Sequence, residues 1–145
     1  MMDKKIIALQ GTSSRGKTTT LKLLIAEMSK KHPVDIIDNS TAEQVAIVDI
    51  DGKKVGITTR GDSQYCLETD FKRLGDCDLY VCACRSKGET LRFLENESRS
   101  GLLLYHGKWY FSVGNGTYTN VSTTMYDSIN SAQVNAIYNQ ILSLI

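Results

Sequence analysis

The sequence predicts an α/β fold of three layers, with helices on both faces of a mainly parallel sheet that carries one antiparallel hairpin. Short apolar runs typical of strands alternate with amphipathic segments of helical spacing along the chain. One pair of these runs is joined by Asp51-Gly52, a dipeptide typical of a two-residue hairpin turn. The chain has 145 residues, 41% of them hydrophobic and 23% charged, which suits a single globular domain over residues 1–145 with one core.

The amino-terminal segment predicts a strand, a glycine-containing loop and a helix in succession. Residues 6–9 form an apolar run that is consistent with a buried parallel strand. Residues 11–18 read Gly-Thr-Ser-Ser-Arg-Gly-Lys-Thr, which matches the pattern G-x-x-x-x-G-K-[ST] at every fixed position. Residues 18–31 carry apolar side chains at helical spacing, Leu23 adds width to their face, and Pro33 ends the helix. The side chains that define this face are Leu21, Leu24, Ile25 and Met28.

The next part of the chain predicts three short strands. Residues 34–38 give the first, and residues 45–49 and 53–59 give two more on either side of Asp51-Gly52. Because a two-residue turn joins antiparallel strands, the sheet is not purely parallel.

Helix and strand patterns continue to alternate beyond the hairpin. Residues 68–74 predict a short helix, residues 79–84 a central buried strand, and residues 89–97 another helix. The side chains expected to point inward from the two helices are Leu67, Phe71, Leu74, and Leu91 with Leu94 or Phe93.

The carboxy-terminal third predicts a second strand pair and a long helix. Residues 102–105 and 108–113 read as strands on either side of His106-Gly107, and residues 114–122 read as a polar surface loop. Residues 124–145 present one broad apolar face at helical spacing. Its members are Ile129, Val134, Ile137, Ile141 and Leu144.

The composition narrows the class of function. A net charge of +1 gives no electrostatic support for nucleic acid or an anionic membrane as a partner. No apolar stretch approaches the length of a membrane span, and the amino terminus lacks a signal-peptide core, so we expect a cytoplasmic protein. The four cysteines form no C-x₂-C pair and lie far in sequence from both histidines, so we expect Cys82 and Cys84 to behave as small apolar strand residues.

The strand, glycine loop and helix resemble the P-loop NTPase superfamily over residues 4 to about 31. In this motif Gly11 and Gly16 let the backbone N–H groups approach the phosphates, and the helix N-terminus points at the same anion. Lys17 reaches the β- and γ-phosphates, and the Thr18 hydroxyl binds Mg²⁺. The residues expected to contact the nucleotide are Gly11, Thr12, Ser13, Ser14, Arg15, Gly16, Lys17, Thr18 and Thr19.

Phosphoryl chemistry also needs a carboxylate linked to Mg²⁺, for which three aspartates compete. Asp62 ranks first because it follows the strand over residues 53–59, which we expect beside the first strand. Asp49 begins a D-x-x-G sequence, but the hairpin turn would put it at the opposite edge of the sheet if the strand over residues 53–59 is the arm that runs parallel to the first strand. Asp38 ends the second strand, where the resemblance implies a residue that positions the substrate or nucleophile. For each of them the alternative is an aspartate that caps its own turn.

A polar segment follows the central strand. Arg85 is a candidate to neutralise the transferred phosphate or to bind an acidic substrate, because it lies at the carboxyl end of that strand. The alternative is a solvated loop, which we favour for Lys87.

These residues and the resemblance imply an enzyme that uses ATP and Mg²⁺. It would hydrolyse ATP or transfer the γ-phosphate to a small molecule or nucleotide, although the chain lacks the Arg-rich lid segment of the kinases it resembles. The alternative is a nucleotide-dependent switch or partner-binding protein with slow turnover, which the D-x-x-G sequence favours. A third reading is a phosphate-binding domain without catalysis. The chain has no N-K-x-D sequence for reading guanine, so we expect ATP rather than GTP.

Overall fold

A computed structural model describes residues 4–10, 17–39, 43–61, 63–85, 88–98, 101–107 and 123–145. Within these ranges the chain forms six strands and four helices. The strands are β1 (Lys5–Gln10), β2 (Val34–Asn39), β3 (Gln44–Ile50), β4 (Lys53–Thr58), β5 (Leu79–Cys84) and β6 (Leu102–Gly107). The helices are α1 (Lys17–Ser29), α2 (Gln64–Leu74), α3 (Glu89–Ser98) and α4 (Thr123–Leu144).

The six described strands form one sheet in the order β2-β3-β4-β5-β1-β6. β4, β5, β1 and β6 run parallel to one another. β3 runs antiparallel to both β2 and β4. The prediction of an α/β fold with a mainly parallel sheet and an antiparallel hairpin is confirmed.

The turn between β3 and β4 forms at the predicted dipeptide. Asp51 and Gly52 both have positive φ, 53° and 88°, as a hairpin turn of type I′ requires. The N–H of Gly52 also donates to Oδ1 of Asp49 at 2.8 Å. Each residue of β3 therefore lies opposite the residue of β4 that is equally far from the turn.

The sheet is buried on both faces, and this makes three layers. Ile7 and Leu9 of β1 pack in the cluster that includes α1 and α4, whereas Ile6 and Ala8 pack on the side of α2 and α3. All four β1 side chains have no exposed surface. A strand that is apolar on both faces needs helices on both faces, so β1 lies at the centre of the core.

The buried face of helix α1 contains the predicted residues but is narrower than predicted. Leu21, Leu24 and Met28 are fully buried, whereas Leu23 is 38% exposed, so the expectation for Leu23 is wrong. Two residues further along a helix correspond to a rotation of about 200°, which turns Leu23 away from the side of Leu21. The helix ends at Ser29, two residues before the predicted boundary.

Two other boundaries differ from the prediction. Helix α2 begins at Gln64 rather than residue 68, because the Ser63 hydroxyl accepts the N–H of Cys66 at 3.2 Å and caps an additional turn. The turn predicted at His106-Gly107 is wrong, since both residues continue β6 opposite Leu9 and Gln10 of β1. The strand predicted over residues 108–113 and the loop over 114–122 lie outside the described residues.

The remaining helices form where predicted, but three of the expected core residues, Leu91, Ile129 and Leu144, are only partly buried. Leu94 is buried on α3, and α4 buries Val134, Ile137 and Ile141. None of the helices described by the structure combines the length and apolar character needed to cross a membrane.

Candidate functional site

Helix α1 begins above the carboxyl ends of the parallel strands. Six residues separate the end of β1 at Gln10 from the start of α1 at Lys17. Side chains in the first turn of α1 contact the carboxyl ends of β5 and β4. Open α/β sheets bind ligands at this edge. The phosphate-loop residues Gly11, Thr12, Ser13, Ser14, Arg15 and Gly16 lie outside the described part of the chain.

Lys17 lies in the interior of this edge. Its side chain is only 6% exposed, and Nζ donates to the carbonyl oxygen of Cys84 at 3.0 Å. Cys84 is the last residue of β5, the strand beside β1. A buried ammonium needs polar partners, so the end of β5 holds the Lys17 charge next to the segment that carries the predicted phosphate loop.

Thr18 faces the next strands along the same edge. Its Oγ1 lies 3.4 Å from the carbonyl oxygen of Thr59 and 3.5 Å from Oε1 of Glu43. The following residue, Thr19, is exposed. Thr20 is fully buried and donates to Oδ1 of Asn130 at 3.1 Å, which ties α1 to α4. Thr18 is therefore the hydroxyl of this turn that lies next to a carboxylate.

Glu43 is a residue of this site that sequence analysis missed. It immediately precedes β3, and because β3 runs antiparallel, its start lies at the same edge as the carboxyl end of β4. The backbones of Gln44 and Thr59 are paired there, with the N–H of Thr59 donating to the Gln44 carbonyl at 3.0 Å. The Thr59 hydroxyl donates to Oε2 of Glu43. The hairpin register set by Asp51-Gly52 was the signal that could have placed Glu43 here.

The strand that leads to Asp62 does not lie beside β1. β5 separates β4 from β1, so the expectation that this strand neighbours β1 is wrong. The chain after β4 nevertheless approaches β5 closely, since a Cβ placed on Gly61 would lie 2.2 Å from the carbonyl oxygen of Ala83. Asp62 itself lies outside the described residues.

Asp49 is a turn residue at the far edge of the sheet. It is exposed, and its carboxylate accepts the N–H of Gly52 across the hairpin turn. β4 is the hairpin arm that runs parallel to β5, which confirms that the turn and Asp49 lie at the edge opposite Lys17. The D-x-x-G sequence therefore belongs to the hairpin.

Asp38 is not brought together with Lys17 and Thr18. It lies on β2, four strand positions from β1, or roughly 19 Å at the usual spacing of about 4.8 Å. Its carboxylate forms an ion pair with Nη1 of Arg73 at 2.8 Å. The structure thus gives Asp38 a place in an ion pair between β2 and α2.

Arg85 directly follows the residue that accepts the Lys17 ammonium. It is exposed, and its backbone N–H donates to the Thr90 hydroxyl in the first turn of α3 at 3.1 Å. The predicted position at the carboxyl end of β5 is confirmed. Lys87 lies outside the described residues.

A second group that sequence analysis missed lies on the α2 side of the end of β4. Asp70 has no exposed surface and accepts from the Thr58 hydroxyl at 2.7 Å and from Nε of Arg60 at 2.9 Å. The other carboxylate oxygen accepts from Nη2 of Arg60. These hydrogen bonds raise the pKa of Arg60 above its usual value, so the guanidinium stays charged. The pair fixes the backbone that carries Thr59.

The cysteines near the site, Cys82 and Cys84, lie in a buried apolar cluster. Burial raises the pKa of the Cys84 thiol to about 11, and the Lys17 charge offsets this only in part. Burial also raises the pKa of Cys82 well above its usual value. Nucleophilic cysteines need a lowered pKa, so both residues have the apolar role expected from the sequence.

The donors around Thr18 suit Mg²⁺ rather than a softer metal. In the ranges that the structure describes, no group of three or more His, Cys, Asp or Glu residues could hold a metal ion. Mg²⁺ is usually held by one or two carboxylates together with the phosphates of a substrate. The Thr18 hydroxyl and the Glu43 carboxylate are hard oxygen donors of this type.

The described clefts lie at the other end of the molecule. One cleft, of about 490 Å³, is lined in part by Lys4, Phe71, Tyr80 and Phe93. A neighbouring one, of about 350 Å³, reaches Lys53 at the start of β4. Both are at the amino-terminal edge of the parallel strands, so neither belongs to the group around Lys17 and Thr18.

The site therefore consists of Lys17 and Thr18 at the start of α1, with Glu43, Thr59 and the end of β5 around them. Comparison of the chain with protein-family models, with curated proteins and with solved structures finds no match.

Proposed function

We propose that this chain binds a nucleoside triphosphate with Mg²⁺, ATP in preference to GTP, and hydrolyses it or transfers its γ-phosphate to a small molecule or nucleotide. The supporting observation is the position of Lys17 and Thr18, the last two residues of the G-x-x-x-x-G-K-[ST] pattern. Both lie in the first turn of a helix whose side chains contact the carboxyl ends of β5 and β4.

Lys17 suits the phosphates electrostatically. Its ammonium is held by a neutral carbonyl oxygen, that of Cys84. Hydrogen bonds between ionised partners are shorter and about twice as strong as neutral ones. Phosphate oxygens would form charge-assisted hydrogen bonds with this ammonium, and the positive end of the α1 dipole adds attraction for the same anion.

The site offers oxygen donors for Mg²⁺, which supplies charge neutralisation on the β- and γ-phosphates. Thr18 provides the hydroxyl that the motif requires. We assign Asp62 as a carboxylate linked to the metal, because the chain enters it from Gly61, which packs on the end of β5 beside Lys17.

Arg85 is proposed to neutralise charge on the transferred phosphate. It follows Cys84 directly, so its backbone is one residue from the carbonyl that holds Lys17. An arginine at this distance can reach anionic oxygens that gather around Lys17.

The alternative of a nucleotide-dependent switch loses its sequence support, because the D-x-x-G residues form the distant hairpin turn.

Removal of the Lys17 amino group tests the site directly. We expect Lys17→Ala to lower the affinity for ATP with Mg²⁺ at least tenfold, measured by titration calorimetry. Lys22→Ala is the matched control, because Lys22 lies on the same helix and is only partly buried. Unchanged ATP affinity in a folded Lys17→Ala protein would refute the assignment.

The reaction is identified by ADP release from wild-type protein. ATP and Mg²⁺ are incubated with and without a pool of nucleosides, nucleotides and small hydroxylated metabolites. Release that depends on the pool indicates phosphate transfer, and release without it indicates hydrolysis. Binding with no release of ADP would contradict the enzymatic part of the proposal and favour a switch.

A further inference from the structure

We propose that Glu43 is a carboxylate ligand of the nucleotide-bound Mg²⁺, with Thr59 as the residue that positions it. The inference rests on the proposed function, because it names a ligand of that same site. It does not follow from the G-x-x-x-x-G-K-[ST] pattern, which lies more than twenty residues away in the chain.

The reversed direction of β3 is what brings Glu43 to the nucleotide edge. A residue that precedes a parallel strand would lie at the opposite edge of the sheet. β3 is antiparallel to β4, so the residue before it lies beside the residue that follows β4, which is Thr59. Thr59 in turn contacts Thr18 through its carbonyl oxygen at 3.4 Å.

The distances around Thr18 fit a shared metal ion. Two neighbouring oxygen ligands of an octahedral Mg²⁺, each about 2.1 Å from the ion, lie about 3 Å apart. Oγ1 of Thr18 and Oε1 of Glu43 are 3.5 Å apart, so a shift of about half an ångström satisfies both. A carboxylate at this distance also complements the +2 charge of the ion.

Thr59 holds the Glu43 carboxylate in one orientation. Its side chain is 1% exposed, and its hydroxyl accepts the Gln44 N–H at 3.0 Å. Because that bond uses an acceptor position, the hydroxyl proton is available for Oε2 of Glu43. Oε2 is thus bound to Thr59, and Oε1 is the oxygen directed at Thr18.

The neighbouring residues keep Thr59 in place from the other face of the strand. Thr58 and Arg60 both bond to the buried Asp70, so the residues on either side of Thr59 are fixed. In metal sites, hydrogen bonds from residues that do not touch the metal commonly orient the residues that do. Thr59 and its fixed neighbours would orient Glu43 in this way.

The test compares ATP affinity with and without Mg²⁺. For wild type we expect the affinity for ATP to be higher with Mg²⁺ than in excess chelator. In Glu43→Gln we expect the affinity in chelator to stay the same and the gain from Mg²⁺ to fall at least fivefold. Bound Mn²⁺, observed by electron paramagnetic resonance of the protein–ATP mixture, should fall in parallel. Glu27→Gln, an exposed carboxylate change on α1, is the matched control.

Three further variants separate positioning from folding. Thr59→Val removes the hydroxyl at nearly constant volume and should weaken the Mg²⁺ effect, whereas Thr59→Ser should restore it. Glu43→Asp keeps the charge and should retain more of the Mg²⁺ effect than Glu43→Gln. If the role of Glu43 were merely structural, Glu43→Gln and Glu43→Asp would lower the unfolding temperature alike. Any loss of ATP affinity would then be the same with Mg²⁺ and in chelator.

The outcomes also distinguish this inference from the proposed function. If wild type binds no ATP, the proposed function fails at the first step. If wild type binds ATP with a Mg²⁺ effect that Glu43→Gln retains in full, the proposed function stands and the inference for Glu43 is overturned. Loss of the effect in Asp62→Asn but not in Glu43→Gln would agree with the proposed function and overturn the inference for Glu43.

Discussion

Asp70 shows how a single buried carboxylate organises the end of a strand. It has no exposed surface, yet it forms hydrogen bonds with Thr58 and Arg60 and lies 3.8 Å from Nη1 of Arg73. Arg73 also pairs with Asp38 on β2. A buried charge is tolerated only when it is paired and hydrogen-bonded, and Asp70 meets both conditions. Asp70 therefore links α2 to the end of β4, and its neighbour Arg73 links α2 to β2.

Neutralisation of Asp70 should destabilise the fold. Removal of one partner from a buried ion pair typically costs about 3–5 kcal/mol, and we expect about 2–3 kcal/mol for Asp70→Asn because Arg60 keeps 30% side-chain exposure. Urea denaturation measures the change in the free energy of unfolding. Asp35→Asn, an exposed change on β2, is the control. Equal stability of the two variants would refute this role for Asp70.

The hairpin of β3 and β4 is the element that shapes the site. Its turn at Asp51-Gly52 lies far from Lys17, whereas its open end carries Glu43 and Thr59. Gly61 then lets the chain pass directly against the backbone of Ala83 on β5. The element thus delivers two side chains and one close backbone contact to the same edge of the sheet.

Gly61→Ala should disturb this element strongly. The added Cβ would meet the Ala83 carbonyl oxygen at 2.2 Å, and backbone cannot move aside as a flexible side chain can. We expect a loss of at least about 2 kcal/mol in the free energy of unfolding, comparable to overpacking of a core.

The comparison variant for Gly61→Ala is Gly52→Ala, measured by the same urea denaturation. A Cβ on Gly52 meets no atom within 4 Å, but its φ of 88° is unfavourable for alanine. That strain alone should cost about 1 kcal/mol. A smaller loss for Gly61→Ala than for Gly52→Ala would show that the end of β4 yields readily.

At the scale of the whole molecule, local sequence patterns predicted most of the helices and strands. The features that they did not predict depend on contacts between residues far apart in the sequence. Periodicity identified β1, α1 and β5, and Asp51-Gly52 identified the hairpin turn, because each signal is carried by neighbouring residues. The position of β5 between β4 and β1 could not be predicted, since apolar strands do not encode their neighbours. His106-Gly107 read as a turn because its pairing with β1 is long-range. The hairpin register could have placed Glu43 beside the end of β4, but its proximity to Thr18 depends on the packing of α1 on the sheet, which is long-range.

The three-layer architecture buries Cys84 between β5 and the α2–α3 layer, and this gives stability a pH dependence. Burial raises the pKa of Cys84 to about 11 from the usual 9. Between these two values the unfolded chain loses the thiol proton and the folded chain keeps it. The contribution of Cys84 is therefore fully present below pH 9 and is lost as the pH rises towards 11.

We expect the free energy of unfolding of wild type, relative to Cys84→Ala, to fall by about 2 kcal/mol between pH 8 and 10.5. Urea denaturation at several pH values measures this difference, and the comparison cancels the titration of other groups that the two proteins share. Leu94→Ala removes a side chain of the same buried cluster that does not titrate. Its difference from wild type should stay constant with pH, because the cost of a cavity does not depend on protons. A constant difference for Cys84→Ala as well would mean that the thiol ionises as readily in the folded protein as in the unfolded chain.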